Sequence, residues 1–138
     1  MRHKEKKINA WLLKFLAKSK QLISEDLTIE QFELFLTIAV EPGLIAKDIR
    51  QRLGMSGNMF TRNSKALSTY YVKKGNKEEK KGLGLVEIRP GKYDMRANEF
   101  HLTDKGMEVV KEIHKEIEKV AQMITGLEDE NGDSPMNL

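Results

Sequence analysis

From residue 5 to residue 24 the apolar side chains Ile8, Trp11, Leu12, Phe15, Leu16, Leu22 and Ile23 recur mostly at spacings of three and four. That spacing predicts a helix with one wide apolar stripe. Thr28 is placed to cap a second helix, and Gln31, three residues on, completes a capping box. Phe32, Leu34, Phe35, Leu36, Ile38 and Ala39 make this helix apolar on most sides and therefore central, until Pro42-Gly43 stops it. Leu44–Leu53 reads as a short helix, with Leu44, Ile45, Ile49 and Leu53 inward and Lys47, Asp48, Arg50 and Gln51 outward. Gly54 ends it. Ser56 then caps a further helix, expected from Gly57 to about Tyr71, with Phe60, Leu67 and Tyr71 toward the core. Two helices joined by a tight Gly-containing turn make a helix-turn-helix unit.

Beyond a Lys-rich stretch at 73–81 (KKGNKEEKK), read as a loop, Leu85–Arg89 alternates as a short strand that Pro90-Gly91 terminates. Glu99–Leu102 alternates again, so Pro90–Asn98 is the loop of a hairpin, with Lys92, Tyr93, Asp94 and Arg96 at or near its tip. Thr103-Asp104 caps a long helix along which Met107, Val110, Ile113, Ile117, Val120 and Ile124 repeat in alternating threes and fours. Such a seam suits packing between chains, or against the N-terminal helix of the same chain. The acidic segment 127–138, with Gly132 and Pro135, is expected to be disordered.

Composition narrows the classes. The chain has 138 residues, 39% of them in the AVILMFWYC set, which is ordinary for one soluble domain. It has no Cys, which excludes disulfide scaffolds, Cys-ligated zinc and thiol redox switches. His3, His101 and His114 are scattered, so neither a metal cluster nor a cofactor is expected. No apolar run approaches the ~18–20 residues of a membrane span. Basic residues ahead of Ile8–Ala17 resemble a signal peptide, but Asn9 and Lys14 interrupt it and Lys18 and Lys20 follow it, so a cytoplasmic protein is expected. No Ser or Lys has a local base and no Gly-rich phosphate loop is present, so an enzyme is not expected.

Net charge is +3, but its distribution is uneven. Residues 1–43 carry 7 basic and 6 acidic side chains, residues 44–96 carry 13 and 5, and residues 97–138 carry 4 and 10. A basic central block suits a head that reads a polyanion. It equally suits a solvated loop, because the 73–81 stretch supplies five of those lysines. The helix after Ser56 is more telling. Asn58, Thr61, Arg62 and Lys65 sit at i, i+3, i+4 and i+7, one polar face without an acid. Such a face matches base edges and phosphates; an ordinary exposed face more often includes Glu or Asp.

Helix, helix, helix-turn-helix, hairpin and long helix is the order of a winged-helix domain flanked by dimerisation helices. Leu27-Thr28-Ile29-Glu30-Gln31-Phe32 resembles the "LTxxQF" opening of the MarR family of transcriptional regulators. Pro42-Gly43-Leu44 with Ile49, and Leu53-Gly54-Met55-Ser56, resemble its helix-turn-helix start. Thr61-Arg62 falls where its recognition helix commonly has Thr-Arg. Gly84-Leu85-Val86-Glu87 is similar to the strand leading into its wing. Asp94-x-Arg96-Ala97, followed by Leu102-Thr103-x-x-Gly106, matches its wing signature in spacing. The resemblance covers roughly residues 27–115. The chain departs from it by an insertion between Leu67 and Gly84, by Asn63 and Ser64 where the family tends to be apolar, and by a short C-terminal region.

The implied fold is mainly α with a small β-hairpin wing, a winged helix-turn-helix flanked by N- and C-terminal dimerisation helices. Its expected layout is a single domain over 1–126, with a reading head at about 44–102 and terminal helices at about 5–26 and 103–126. The implied function is sequence-specific double-stranded DNA binding by a homodimer, expected to repress transcription. Asn58, Thr61, Arg62 and Lys65 would lie in the major groove, Arg gripping guanine and Lys touching phosphate. Ser56 would cap the helix and could touch phosphate, and Lys92 would add a phosphate contact. The wing residue Arg96 would enter the minor groove, with Asp94 orienting the arginine or the wing backbone. The alternative for that pair is a plain hairpin salt bridge. The resemblance also leaves room for a small aromatic effector near Trp11 or Phe15, residues that serve equally well as core. Two rival functions use the same fold: a protein–protein module, and a non-specific DNA-architectural protein.

Overall fold

A computed structural model describes residues 1–92 and 94–131. The elements run α1 (His3–Ile23), α2 (Ile29–Val40), β1 (Leu44–Ile45), α3 (Ala46–Leu53), α4 (Gly57–Leu67), β2 (Tyr70–Lys74), β3 (Lys77–Lys81), β4 (Val86–Pro90), β5 (Asn98–Leu102) and α5 (Asp104–Asn131). Helix α5 thus continues through residues 127–131 of the tail expected to be disordered; the rest of that tail and Tyr93 lie outside the described residues. Contacts cluster into two units, Asp26–Glu108 and the terminal pieces Met1–Glu25 and Val109 onward. The middle unit begins at Asp26 and so includes α2.

Within the middle unit, Thr28 caps α2 by accepting from the Gln31 N–H, and the Gln31 Oε1 in turn accepts from the Thr28 N–H. Leu34, Phe35 and Ile38 on α2 are fully buried, which makes it the central helix the sequence predicts. Ile49, Phe60, Leu67, Leu85, Val86, Phe100 and Leu102 complete the core from α3, α4 and the sheet. Each such side chain contributes roughly 1.5–3 kcal/mol when fully buried. The sheet has strand order β1-β5-β4, and β4 pairs antiparallel with β5 in the register Val86↔Leu102 to Pro90↔Asn98.

Three local expectations need correction. Leu44–Ile45 is not helical: it pairs with Phe100 and Glu99 of β5, because the Gly43 N–H already donates to the Phe100 carbonyl and carries the chain along the sheet edge. Helix α4 stops at Leu67, four residues early, and Tyr71 is 63% exposed instead of buried. The run Thr69-Tyr70-Tyr71-Val72 is rich in β-branched and aromatic residues and prefers a strand. The Lys-rich stretch is also not a loop. It forms the antiparallel hairpin β2–β3, from Tyr70↔Lys81 to Lys74↔Lys77, closed by Gly75-Asn76.

In the other unit, α1 buries Ile23 and Ser19, whose hydroxyl donates to the Phe15 carbonyl four residues back. Of its expected stripe, Ile8, Trp11, Phe15 and Leu22 are half-buried, while Leu12 and Leu16 are exposed. On α5, Ile113 is buried, Val110, Val120 and Ile124 are half-buried, and Met107 and Ile117 are exposed. The Glu112 carboxyl is held below the usual carboxylate range mainly by the Lys115 ammonium that donates to it, with Lys18 of α1 adding a smaller attraction.

Candidate nucleic-acid interface

The turn between α3 and α4 sets the site. Gly54 takes the left-handed conformation (φ 65°) that ends α3, and Ser56 caps α4 by accepting from the Met59 N–H at 3.1 Å. From that cap, the 3.6-residue period turns Phe60, Asn63, Ser64 and Leu67 inward. Asn58, Thr61, Arg62 and Lys65 are left exposed on the opposite face, as the sequence predicts. The first turn of α4 contains no acid, so no carboxylate within it offsets the positive end of the helix. The Lys65 ammonium lies 4.6 Å from the centre of the Tyr70 ring, a cation–π contact. It joins the end of the exposed row to the first residue of β2.

The buried side of α4 fixes it to the wing. Phe60 meets Phe100 of β5 edge to face, with ring centres 5.3 Å apart and planes at 80°. Phe100 stands opposite Ile88 in the register, so the strands that carry the wing loop are seated on the helix that carries the polar row.

The wing loop brings together Lys92, Asp94 and Arg96, all exposed. The Asp94 carboxylate accepts from the Arg96 backbone N–H at 3.0 Å, while the Asp94 carbonyl accepts from the Ala97 N–H. Asp94 therefore shapes the turn on which Arg96 sits. Glu99 organises the other side. Its carboxylate accepts the Lys92 N–H at 2.7 Å and stands 3.1 Å from His101 Nε2. The Lys92 amide, and secondarily the His101 side chain, hold the Glu99 carboxyl below the usual carboxylate range.

A depressed carboxyl stabilises the fold above its ordinary pKa, and that contribution is lost as pH falls through the lowered value. Glu99→Gln is therefore expected to lower the urea midpoint at pH 7. The gap to the parent should close on acidification toward pH 3. A gap independent of pH would assign the loss to packing.

Sequence reasoning missed Glu99, the Lys65–Tyr70 contact and the β2–β3 hairpin. For the hairpin a signal existed, since Gly-Asn between two short runs marks a two-residue turn. Also overlooked is an open pocket of about 290 Å³ lined by Lys47, Arg50, Gln51, Gly54 and Met55, beside the helix-turn-helix turn. Among the described residues no group of His, Asp or Glu could hold a metal ion, and no helix is long and apolar enough to cross a membrane.

No family model matches the chain, and no curated protein matches its sequence. Solved structures do match its shape. The PcaV transcriptional regulator from Streptomyces coelicolor aligns with 88% of this chain and 80% of its own, at 20% identity and a TM-score of 0.52. The transcriptional repressor CouR, bound to a 23-mer DNA duplex, aligns with 87% and 78%, at 22% identity and 0.56. A mutant of MepR from S. aureus, bound to an oligodeoxyribonucleotide, aligns with 96% and 90%, at 17% identity and 0.59. With α2 under the helix-turn-helix, α4 seated on the β4–β5 hairpin and α5 following, the chain has the winged helix-turn-helix fold of the MarR-type regulators.

Proposed function

We propose that this protein is a MarR-type transcriptional regulator that binds double-stranded DNA in the cytoplasm as a homodimer and represses. The observation that carries the reading is the exposed, acid-free row Asn58, Thr61, Arg62 and Lys65, on a fold that CouR and MepR share while bound to DNA. In this reading α4 enters the major groove. The Arg62 guanidinium grips guanine and Lys65 meets phosphate. Ser56 and Lys92 approach the backbone, and Asp94 holds the turn from which Arg96 enters a narrow minor groove.

Dimerisation is supported by the terminal helices. Leu12, Leu13 and Leu16 on α1 are 48%, 68% and 44% exposed, and Ile117 and Met123 on α5 are exposed too. Apolar surface of this kind is what a second copy covers. A dimer favours half-sites about one helical turn apart, ~10 bp centre to centre. Sedimentation as a monomer at micromolar concentration would remove that part. A small aromatic effector near Trp11 or Phe15 belongs to the same reading, and melting shifts with aromatic carboxylates test it.

The deciding experiment is binding across salt, on random DNA and on the upstream region of the native gene. Arg62→Ala is expected to cost ~1–3 kcal/mol on the cognate site and relax base preference locally. Lys65→Ala should weaken all sequences alike and reduce the salt slope by about one. Arg96→Ala should lose most on sites with narrow, A/T-rich flanks. If all three folded variants bind like the parent, the basic face serves a protein partner instead.

A further inference from the structure

The β2–β3 hairpin leaves the C-terminal end of α4 directly, and its two faces differ. The antiparallel register puts Tyr71, Lys73, Glu78 and Lys80 on one face and Tyr70, Val72, Lys74, Lys77, Glu79 and Lys81 on the other. On the second face Glu79 is already engaged, its carboxylate 3.1 Å from the Lys74 ammonium and 3.7 Å from that of Lys81. Tyr70, Val72 and Lys81 there are half-buried, and Tyr70 lies under Lys65. That face holds the hairpin's half-buried residues and its ion pairs, while Lys74, Lys77 and Glu79 stay exposed.

The first face is turned to solvent: Tyr71, Lys73, Glu78 and Lys80 are all exposed. Tyr71 pairs with Lys80 and Lys73 with Glu78, so a phenol and two ammonium groups share the face with one carboxylate. Counted over both strands, the hairpin carries five Lys and two Glu. Its base is fixed firmly. Leu83 and Leu85 donate their N–H groups to the Ala66 and Leu67 carbonyls at the end of α4, and Gly84 donates to Ser68. A cationic strand pair rooted by these bonds on the last turn of α4 is placed to follow the same ligand that α4 reads.

We propose that the Tyr71, Lys73 and Lys80 face of this hairpin is a second DNA-contacting arm, which meets the phosphate backbone of duplex DNA beyond the segment under α4. The inference rests on the DNA-reading role of α4. Lys73 and Lys80 supply charge to phosphates, and the Tyr71 hydroxyl can donate to a phosphate oxygen. Such contacts carry no base information, so they add affinity and salt dependence without changing sequence preference.

The test uses the full chain with the double variant Lys73→Gln/Lys80→Gln, on cognate and scrambled duplexes between 50 and 200 mM salt. Each lost phosphate contact reduces the slope of log K against log salt by ~0.9. The double variant is expected to lose slope by nearly two per protomer. The salt-induced drop in affinity should then be about tenfold smaller per protomer over that range. The ratio of cognate to scrambled affinity should stay that of the parent. Lys74→Gln/Lys81→Gln, on the opposite face where Glu79 already pairs with both ammonium groups, should change the slope much less. A slope like the parent's for the Lys73/Lys80 variant overturns the arm while leaving α4 as the reading helix. Equal losses from the two double variants overturn the assignment to this face. A parent chain that binds no duplex overturns both the arm and the reading beneath it.

Discussion

Phe60→Ala is expected to destabilise the protein by about 3–5 kcal/mol, the range for emptying a buried aromatic site. Phe60 is 5% exposed and Phe100 4%, so neither ring has water to fall back on when its neighbour is removed. The edge-to-face contact adds ~0.5–1.5 kcal/mol beyond area burial. The position matters more than the sum, because this pair joins the buried side of α4 to β5. Removing it should unfix the polar row and the wing together. DNA affinity should therefore fall more than urea unfolding alone predicts from the folded fraction. Phe60→Leu keeps most of the volume and should recover most of both. A loss below about 1 kcal/mol for Phe60→Ala would show that α4 and the wing are held by other contacts.

Gly82→Ala should be nearly as costly, for a different reason. At φ 90° this residue occupies a conformation that L side chains rarely adopt, and a Cβ placed there would lie 1.8 Å from the Ser68 carbonyl oxygen. The obstacle is backbone at the end of α4, so no rotamer change relieves it. Strain of this kind costs ~1–3 kcal/mol before the clash is counted. Relief by movement would break the Gly84 N–H to Ser68 carbonyl bond. Gly75→Ala is the control. Gly75 also has positive φ (65°), but an added Cβ meets nothing within 4 Å, so only the conformational cost of ~1–2 kcal/mol applies. Thermal melts that rank the two variants equally would place the hairpin base somewhere other than Ser68.

The helices of the head were legible because their signals are local. The Thr28/Gln31 capping box, the Gly54 stop and the Ser56 cap each satisfy backbone groups within a few residues, and each forms as the sequence predicts. The exposed row on α4 follows from helical period once that cap is set. What escaped depends on partners far along the chain. Leu44 and Ile45 carry apolar side chains that a helix could equally bury; pairing with β5, more than fifty residues away, makes them a strand. Glu99 reads as an ordinary strand residue until the wing loop folds back and brings the Lys92 amide to it. Tyr71 follows the α4 period by coincidence, one turn past the helix's real end. The β2–β3 hairpin was hidden by its composition. Seven charged residues in nine look like solvated loop, although Gly75-Asn76 carried the turn signal.

The entry and exit of that hairpin are tied to each other: Gly84 donates to Ser68, and Leu83 and Leu85 donate to the residues just before it. Everything between Ser68 and Gly84 is consequently a closed side excursion. Lengthening it at the Gly75-Asn76 tip leaves these three bonds, and the helix and strand they join, in place. A strand advances about 3.3 Å per residue, and duplex DNA rises ~3.4 Å along its axis per base pair. Lengthening both strands by two residues preserves which side chains share a face and carries the tip about 7 Å further out. If the hairpin follows DNA as proposed, binding-site length becomes a trait that insertions and deletions in one hairpin tune, while the α4 row stays as it is.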